Sequence, residues 1–152
     1  MQHKYQVSVY MLPFLTQDEA NDNKTSYVYF MFSAASDSLL YVGQTNNMRK
    51  RIQAHETTLQ EMANLLEDDS LRYVRYRAIK VDASDLNEVE KYYIKRYCPP
   101  RNVMHNNQEV IRAYELWYYE KLLVAYNKNR TLKGEKPLSF DEAYGGKMGH
   151  TA

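Results

Sequence analysis

Gly43 is the only glycine in the first 133 residues of this 152-residue chain. It stands where an apolar run meets a basic one, in Tyr41-Val42-Gly43-Gln44-Thr45-Asn46-Asn47-Met48-Arg49-Lys50-Arg51. A glycine kept in so glycine-poor a stretch marks a place where a Cβ is not tolerated. Here it predicts a close approach of backbone or phosphate where a strand gives way to a helix. The strand is Leu39-Leu40-Tyr41-Val42, and the aromatic run Tyr27-Val28-Tyr29-Phe30-Met31-Phe32 before it is a second strand. Small, turn-prone residues from Ser33 to Ser38 join the two as an antiparallel hairpin.

Downstream, Asn46 or Asn47 caps a helix whose apolar set is Met48, Ile52, Leu59, Met62, Ala63, Leu65 and Leu66, with Thr57-Thr58 as the place for a break. The acidic Glu67-Asp68-Asp69 opposes the helix dipole and ends it. Residues 71–79 alternate arginine with apolar or aromatic residues, the pattern of a half-exposed strand with one basic face. Ser84 or Asp85 starts a second helix that runs to about Tyr97 and stops at Pro99-Pro100. Residues 107–130 form an aromatic-rich helix around Trp117, Tyr118, Tyr119 and Tyr126. Upstream, residues 3–12 read as a first strand cut by Pro13, and 17–26 as a polar loop. Order is expected to fade from Thr131. The division is therefore an N-terminal strand and loop (1–26), a core (27–105), and a C-terminal aromatic helix with a flexible tail (106–152).

Composition narrows the function classes. No run of about 18 apolar residues predicts a membrane span, and the N-terminus lacks the pattern of a signal peptide. A single cysteine, Cys98, allows no internal disulfide, which fits a reducing, cytoplasmic setting. The formal net charge is only +1, yet the basic residues are segregated. Arg49, Lys50, Arg72, Arg75 and Arg77 are the candidates for a nucleic-acid backbone, with a solvated sheet face as the equal alternative for the last three. The 15 tyrosines suit cores, interfaces and stacking surfaces alike.

Read together, Tyr27-Val28-Tyr29, Tyr41-Val42-Gly43, Arg51 with His55, Glu90-Lys91-Tyr92-Tyr93-Ile94-Lys95, Pro99 and Asn102 resemble the GIY-YIG nuclease family. The resemblance covers residues 27 to about 102, roughly half of the chain. The family's second motif is intact at 41–43. Arg51 follows Gly43 by eight residues, and His55 follows four later. Pro99 and Asn102 lie nine and twelve residues after Glu90. One departure is the first motif's glycine, which is Tyr27 here. The resemblance implies an α+β (mixed α/β) fold: a small, largely antiparallel three-stranded sheet flanked by helices, extended here by a C-terminal helix.

It also implies a metal-dependent endonuclease acting on DNA, double-stranded in the first instance. Its site residues map onto Tyr29, Tyr41, Arg51, His55, Glu90 and Asn102. Glu90 would be the carboxylate ligand of one Mg²⁺ or Mn²⁺ ion. Arg51 offers a fork for two phosphate oxygens. Four residues apart on one helix, Arg51 and His55 are expected to address one phosphate. Tyr29 is the first choice as general base and Tyr41 as the group that orients water, with the reverse assignment open. Arginine, histidine and a metal-bound water beside it are expected to favour its ionised form. Asn102 is expected to tie the loop after the second helix back to the site. A homodimer through the C-terminal helix, and a catalytically silent nucleic-acid-binding or protein-interaction module on the same fold, are the further readings.

Overall fold

The computed structural model describes residues 4–145. Its centre is a three-stranded antiparallel sheet of β1 (Tyr27–Ser33), β2 (Leu39–Thr45) and β3 (Val74–Lys80), in the order β2-β1-β3. The expected α+β architecture is the one observed. Every residue of the central strand is buried, because both faces of the sheet are covered. Its alternation divides two cores. Val28, Phe30 and Phe32 face Val89, Tyr93 and Ile94 of helix α3 (Leu86–Tyr97). Tyr27, Tyr29 and Met31 face Met48 and Leu59 of helix α2 (Met48–Leu66). Each fully buried apolar side chain of this kind contributes about 1.5–3 kcal/mol.

Register explains how one strand serves both cores. Tyr29 pairs with Gly43 and Phe30 with Val42, and the register shifts between Met31 and Phe32. Leu40 is the residue skipped there, so Leu40 and Tyr41 both pack on the α2 side.

Helix α2 begins as read. The Asn47 side chain accepts from Lys50 N–H, and the helix ends at Leu66, where Glu67 turns left-handed at φ 53°. It has no break at Thr57-Thr58; Thr57 donates its hydroxyl to Gln53 O instead. The third strand starts later than its pattern predicts, because Leu71 closes a 3-10 turn over Asp69–Leu71 and is buried there. Helix α3 ends at Cys98, which is left-handed at φ 47°, just before Pro99.

The N-terminal segment corrects its expectation. It forms no strand among the described residues, only a 3-10 turn over Val9–Met11 and a single bridge from Phe14 to Arg77. Tyr5, Val9 and Leu12 pack on the α3-side core at spacings of four and three, which is not a strand period. Leu15 N–H donates to Tyr76 O, so this segment covers the β3 edge that would otherwise stay open. The polar stretch after it holds a short helix, α1 (Gln17–Ala20), started by a capping box between Thr16 and Glu19.

Helix α4 (Gln108–Leu132) packs through Trp117, Tyr118 and Leu122 on Ala63, Leu66 and Leu71, yet none of its own residues is fully buried. After it the chain stays ordered. A second capping box at Ser139 and Glu142 starts α5 (Phe140–Tyr144), whose Tyr144 ring meets Tyr119. The expected flexible tail is thus corrected for 131–145, and its remainder, 146–152, lies outside the described residues.

Candidate active site

Gly43 lies in mid-strand, not at the junction of strand and helix, and its backbone is in a conformation open to any residue. Space is what demands it. The ring of Tyr29, its cross-strand partner, lies over it, and a Cβ there would fall 2.8 Å from Cε1 and closer still to Cζ and Oη. The glycine therefore houses a tyrosine. That placement brings Tyr29 Oη to 2.6 Å from His55 Nε2 of α2.

Around this bond the aromatic rings crowd. Tyr41 and Tyr29 each stand 5.6 Å from the His55 ring, and Tyr76 stands 6.4 Å from it. Tyr76 was not foreseen as part of this group. It reaches it because β3 pairs with β1 in the register Met31 to Tyr76. Its buried Oη has no hydrogen-bond partner among the described residues.

Burial raises the pKa of Tyr29 strongly; Tyr41 adds to this, and Arg51 opposes it without prevailing. The protein groups alone therefore do not favour the ionised form. Removing water costs a phenolate more than the arginine returns. Tyr41 is raised by burial and then by the charge of Glu90. His55 is lowered to about 4 by burial and by Arg51, so it is neutral at pH 7.

Tyr29, Tyr41, Arg51, Glu90 and Asn102 line one open cleft of about 1220 Å³. His55 does not line it and stands behind Tyr29. Arg51 and His55 share a helix but not a target: the arginine faces the cleft and the histidine faces the tyrosine. Glu90 is half-buried on α3 and accepts from Gln44 Nε2 at 3.3 Å, while the same nitrogen donates to Asn87 Oδ1 at 2.7 Å. Gln44 and Asn87 are cleft residues that sequence reading missed. Their signals were adjacency to Gly43 and a position three residues before Glu90 on one helix face. Glu90 makes no ion pair with Lys91 or Lys95, which line the cleft with no ion pair among the described residues.

Asn102 is 5% exposed and holds the edge strand with two bonds. Its Oδ1 accepts from Val42 N–H at 2.9 Å, and its Nδ2 donates to Val42 O at 2.8 Å. It thereby acts as one residue of a fourth strand, fixing the backbone between Tyr41 and Gly43.

Among the described residues no group of three His, Cys, Asp or Glu side chains could hold a metal. One carboxylate flanked by amide side chains is a hard-oxygen set. It fits an ion of the Mg²⁺ kind that keeps most of its waters.

The basic residues separate into two groups. Arg77 is 6% exposed: its Nε donates to Leu12 O at 2.9 Å, and the guanidinium lies between the Phe14 and Phe32 rings. It is a core cation and not a phosphate contact. Arg72 is engaged by Asp69, Gln60 and Asn64. Arg75 stacks on Phe14 with one side exposed. Arg49 and Lys50 are exposed at the start of α2, next to Arg51.

A family model described as the GIY-YIG catalytic domain matches residues 25–110. No curated protein and no solved structure matches the chain.

Proposed function

The chain belongs to the GIY-YIG family, and from that premise we propose that it is an endonuclease that hydrolyses DNA phosphodiester bonds by attack of water. Membership supports a nuclease-type function in general. The observation that carries the finer reading is the 2.6 Å contact between Tyr29 Oη and His55 Nε2, at the wall of a cleft lined by Tyr41, Arg51 and Glu90.

The residues divide the work as follows. Tyr29 Oη takes a proton from the attacking water while its own proton passes to Nε2 of neutral His55. This concerted transfer is what a buried, raised tyrosine requires, since it carries no standing phenolate at pH 7. The water oxygen bonds to phosphorus, the bond to the leaving oxygen breaks, and the leaving oxygen takes a proton from solvent. His55 then releases its proton. Tyr41 orients the water; the exchanged roles of the two tyrosines are the alternative assignment. Arg51 binds two phosphate oxygens through its planar fork and offsets the charge of the transition state. Glu90, steadied by Gln44, would hold one Mg²⁺ or Mn²⁺, which when bound supplies positive charge to the phosphate. Asn102 acts through the β2 backbone and is a positioning residue.

In this reading the catalytic unit spans 27–105 and works on double-stranded DNA in the reducing cytoplasm. Arg49 and Lys50 follow the backbone beside Arg51. Leu116, Val124 and Leu132, apolar residues that α4 leaves exposed, offer a contact for a second copy.

The test is cleavage of supercoiled plasmid by wild type and Glu90→Ala, with Mg²⁺ or Mn²⁺ against EDTA. Metal-dependent nicking or linearisation by wild type alone is the expected result. DNA that binds both proteins and is cut by neither would favour a silent binding module and refute the enzyme.

A further inference from the structure

Beside the catalytic cleft lies a second one of about 560 Å³, between the hairpin turn, the end of α2 and the start of α4. Its walls include Leu40, Leu71, Val110, Tyr114 and Trp117, and Ser36 and Ser38 add hydroxyls at one side. A volume of this size lies within the usual range for small ligands, about 300–1,000 Å³. Arg101 lines both clefts. Consecutive residues of β2 separate them: Tyr41 faces the catalytic cleft and Leu40 the aromatic one. Arg101 is fixed at this divide, since its backbone N–H donates to Leu40 O at 3.0 Å.

The guanidinium of Arg101 is unusual in this protein. It lies 5.6 Å from the centre of the Trp117 ring and is half-buried. It makes no hydrogen bond or ion pair with any described residue. Burial lowers its pKa, while Tyr114 and Asp68 oppose that shift. Asp68 also lines the cleft, but its carboxylate is engaged by Lys121 at 3.7 Å. A half-buried guanidinium with donors free of protein partners is ready to meet an anion in a fork. The other buried arginine, Arg77, has its carbonyl and carboxylate partners inside the protein. The Arg101 guanidinium nitrogens instead reach solvent, which leaves them open to an anion from outside.

We infer that this cleft binds one unpaired nucleotide flanking the scissile phosphate, its phosphate on Arg101 and its base against Trp117 and Tyr114. The inference rests on the nuclease reading and adds a substrate class to it. A base in a cleft walled by α4 and the hairpin turn has left its duplex stack, so the favoured substrate carries a single-stranded stretch, a bulge or a readily turned-out base. Aromatic stacking and a phosphate–guanidinium fork are the two contacts that single-stranded nucleic acid offers at once. A purely apolar ligand would leave Arg101 unpaired, and a simple anion would leave the aromatic wall unused.

Trp117 is the only tryptophan of the chain, so its emission reports on this wall of the cleft. The test titrates wild type in EDTA, and Glu90→Gln, with a fluorescent duplex and with the same duplex carrying one unpaired nucleotide. Anisotropy follows binding and Trp117 emission follows the cleft. The expected result is quenching of Trp117 in step with the anisotropy. The bulged DNA should bind about tenfold tighter, in keeping with the stacking of one base. Arg101→Gln should erase both the quench and the preference. Binding with unchanged Trp117 emission overturns the inference and leaves the nuclease reading intact if wild type cuts plasmid with Mg²⁺. Emission that follows protein concentration without DNA also overturns it, because a second copy then fills the cleft. Neither binding nor cleavage overturns both.

Discussion

Replacing Gly43 by alanine tests the geometry of the site most sharply. The added Cβ would lie 2.8 Å from Tyr29 Cε1. An ordinary carbon contact is about 3.5 Å, so the ring must retreat by about 0.7 Å at that atom and further at Cζ and Oη. Tyr29 is fully buried, and its hydroxyl end touches His55 at 2.6 Å. A retreat of about 1 Å would stretch that contact beyond hydrogen-bonding range. A misplacement of this size costs about 10²-fold in rate. Stability suffers less: overpacking costs about 1–3 kcal/mol. Alanine recovers about 0.5–1 kcal/mol of the strand entropy that glycine wastes. The net loss is about 0–2.5 kcal/mol. The assay pairs plasmid cleavage in the wild-type background with urea unfolding in the wild-type and Tyr29→Ala backgrounds. In the second background the clash has no partner, so Gly43→Ala should cost nothing or stabilise slightly. An equal destabilisation in both backgrounds, or full activity of Gly43→Ala, would refute the reasoning.

Four other perturbations have defined outcomes. Asn102→Ala strands a buried N–H and C=O of Val42 and should cost about 2–4 kcal/mol in urea unfolding, with activity falling at temperatures where the protein is still folded. Arg77→Ala should destabilise by about 2–3 kcal/mol and leave the salt dependence of DNA binding unchanged, whereas Lys50→Ala should leave stability alone and lower the salt slope by about one. His55 is lowered from 6.5 to about 4, so the unfolded chain binds more protons between those values; stability is complete above pH 6.5 and declines towards pH 4, and His55→Gln should flatten that decline in a pH series of thermal melts. Tyr76→Phe removes a buried hydroxyl that lacks a partner and should leave stability equal or higher by about 1 kcal/mol in the same urea assay.

The sequence by itself determined β1, β2, α2, α3 and α4 and their order, though not the N-terminal segment, α1 or α5. The aromatic run in 27–32, the asparagine at the start of α2, and the prolines after α3 are local signals, written in neighbouring residues. The spacing of Tyr29, Tyr41, Gly43, Arg51, His55, Glu90 and Asn102 marked the family for the same reason, and five of these residues line one cleft. What those residues touch was decided only by the tertiary structure. That Gly43 makes room for Tyr29 depends on a cross-strand register, and that Tyr76 joins His55 depends on a third strand arriving from beyond α2. Charge was the least legible property. Arg77 and Arg75 are two residues apart on one strand, yet one is sealed between Phe14 and Phe32 and the other is exposed, because the N-terminal segment folds back over that edge. Burial likewise outweighs the pull of Arg51 on Tyr29. Desolvation depends on everything packed around a group, and no local pattern of residues carries that sum.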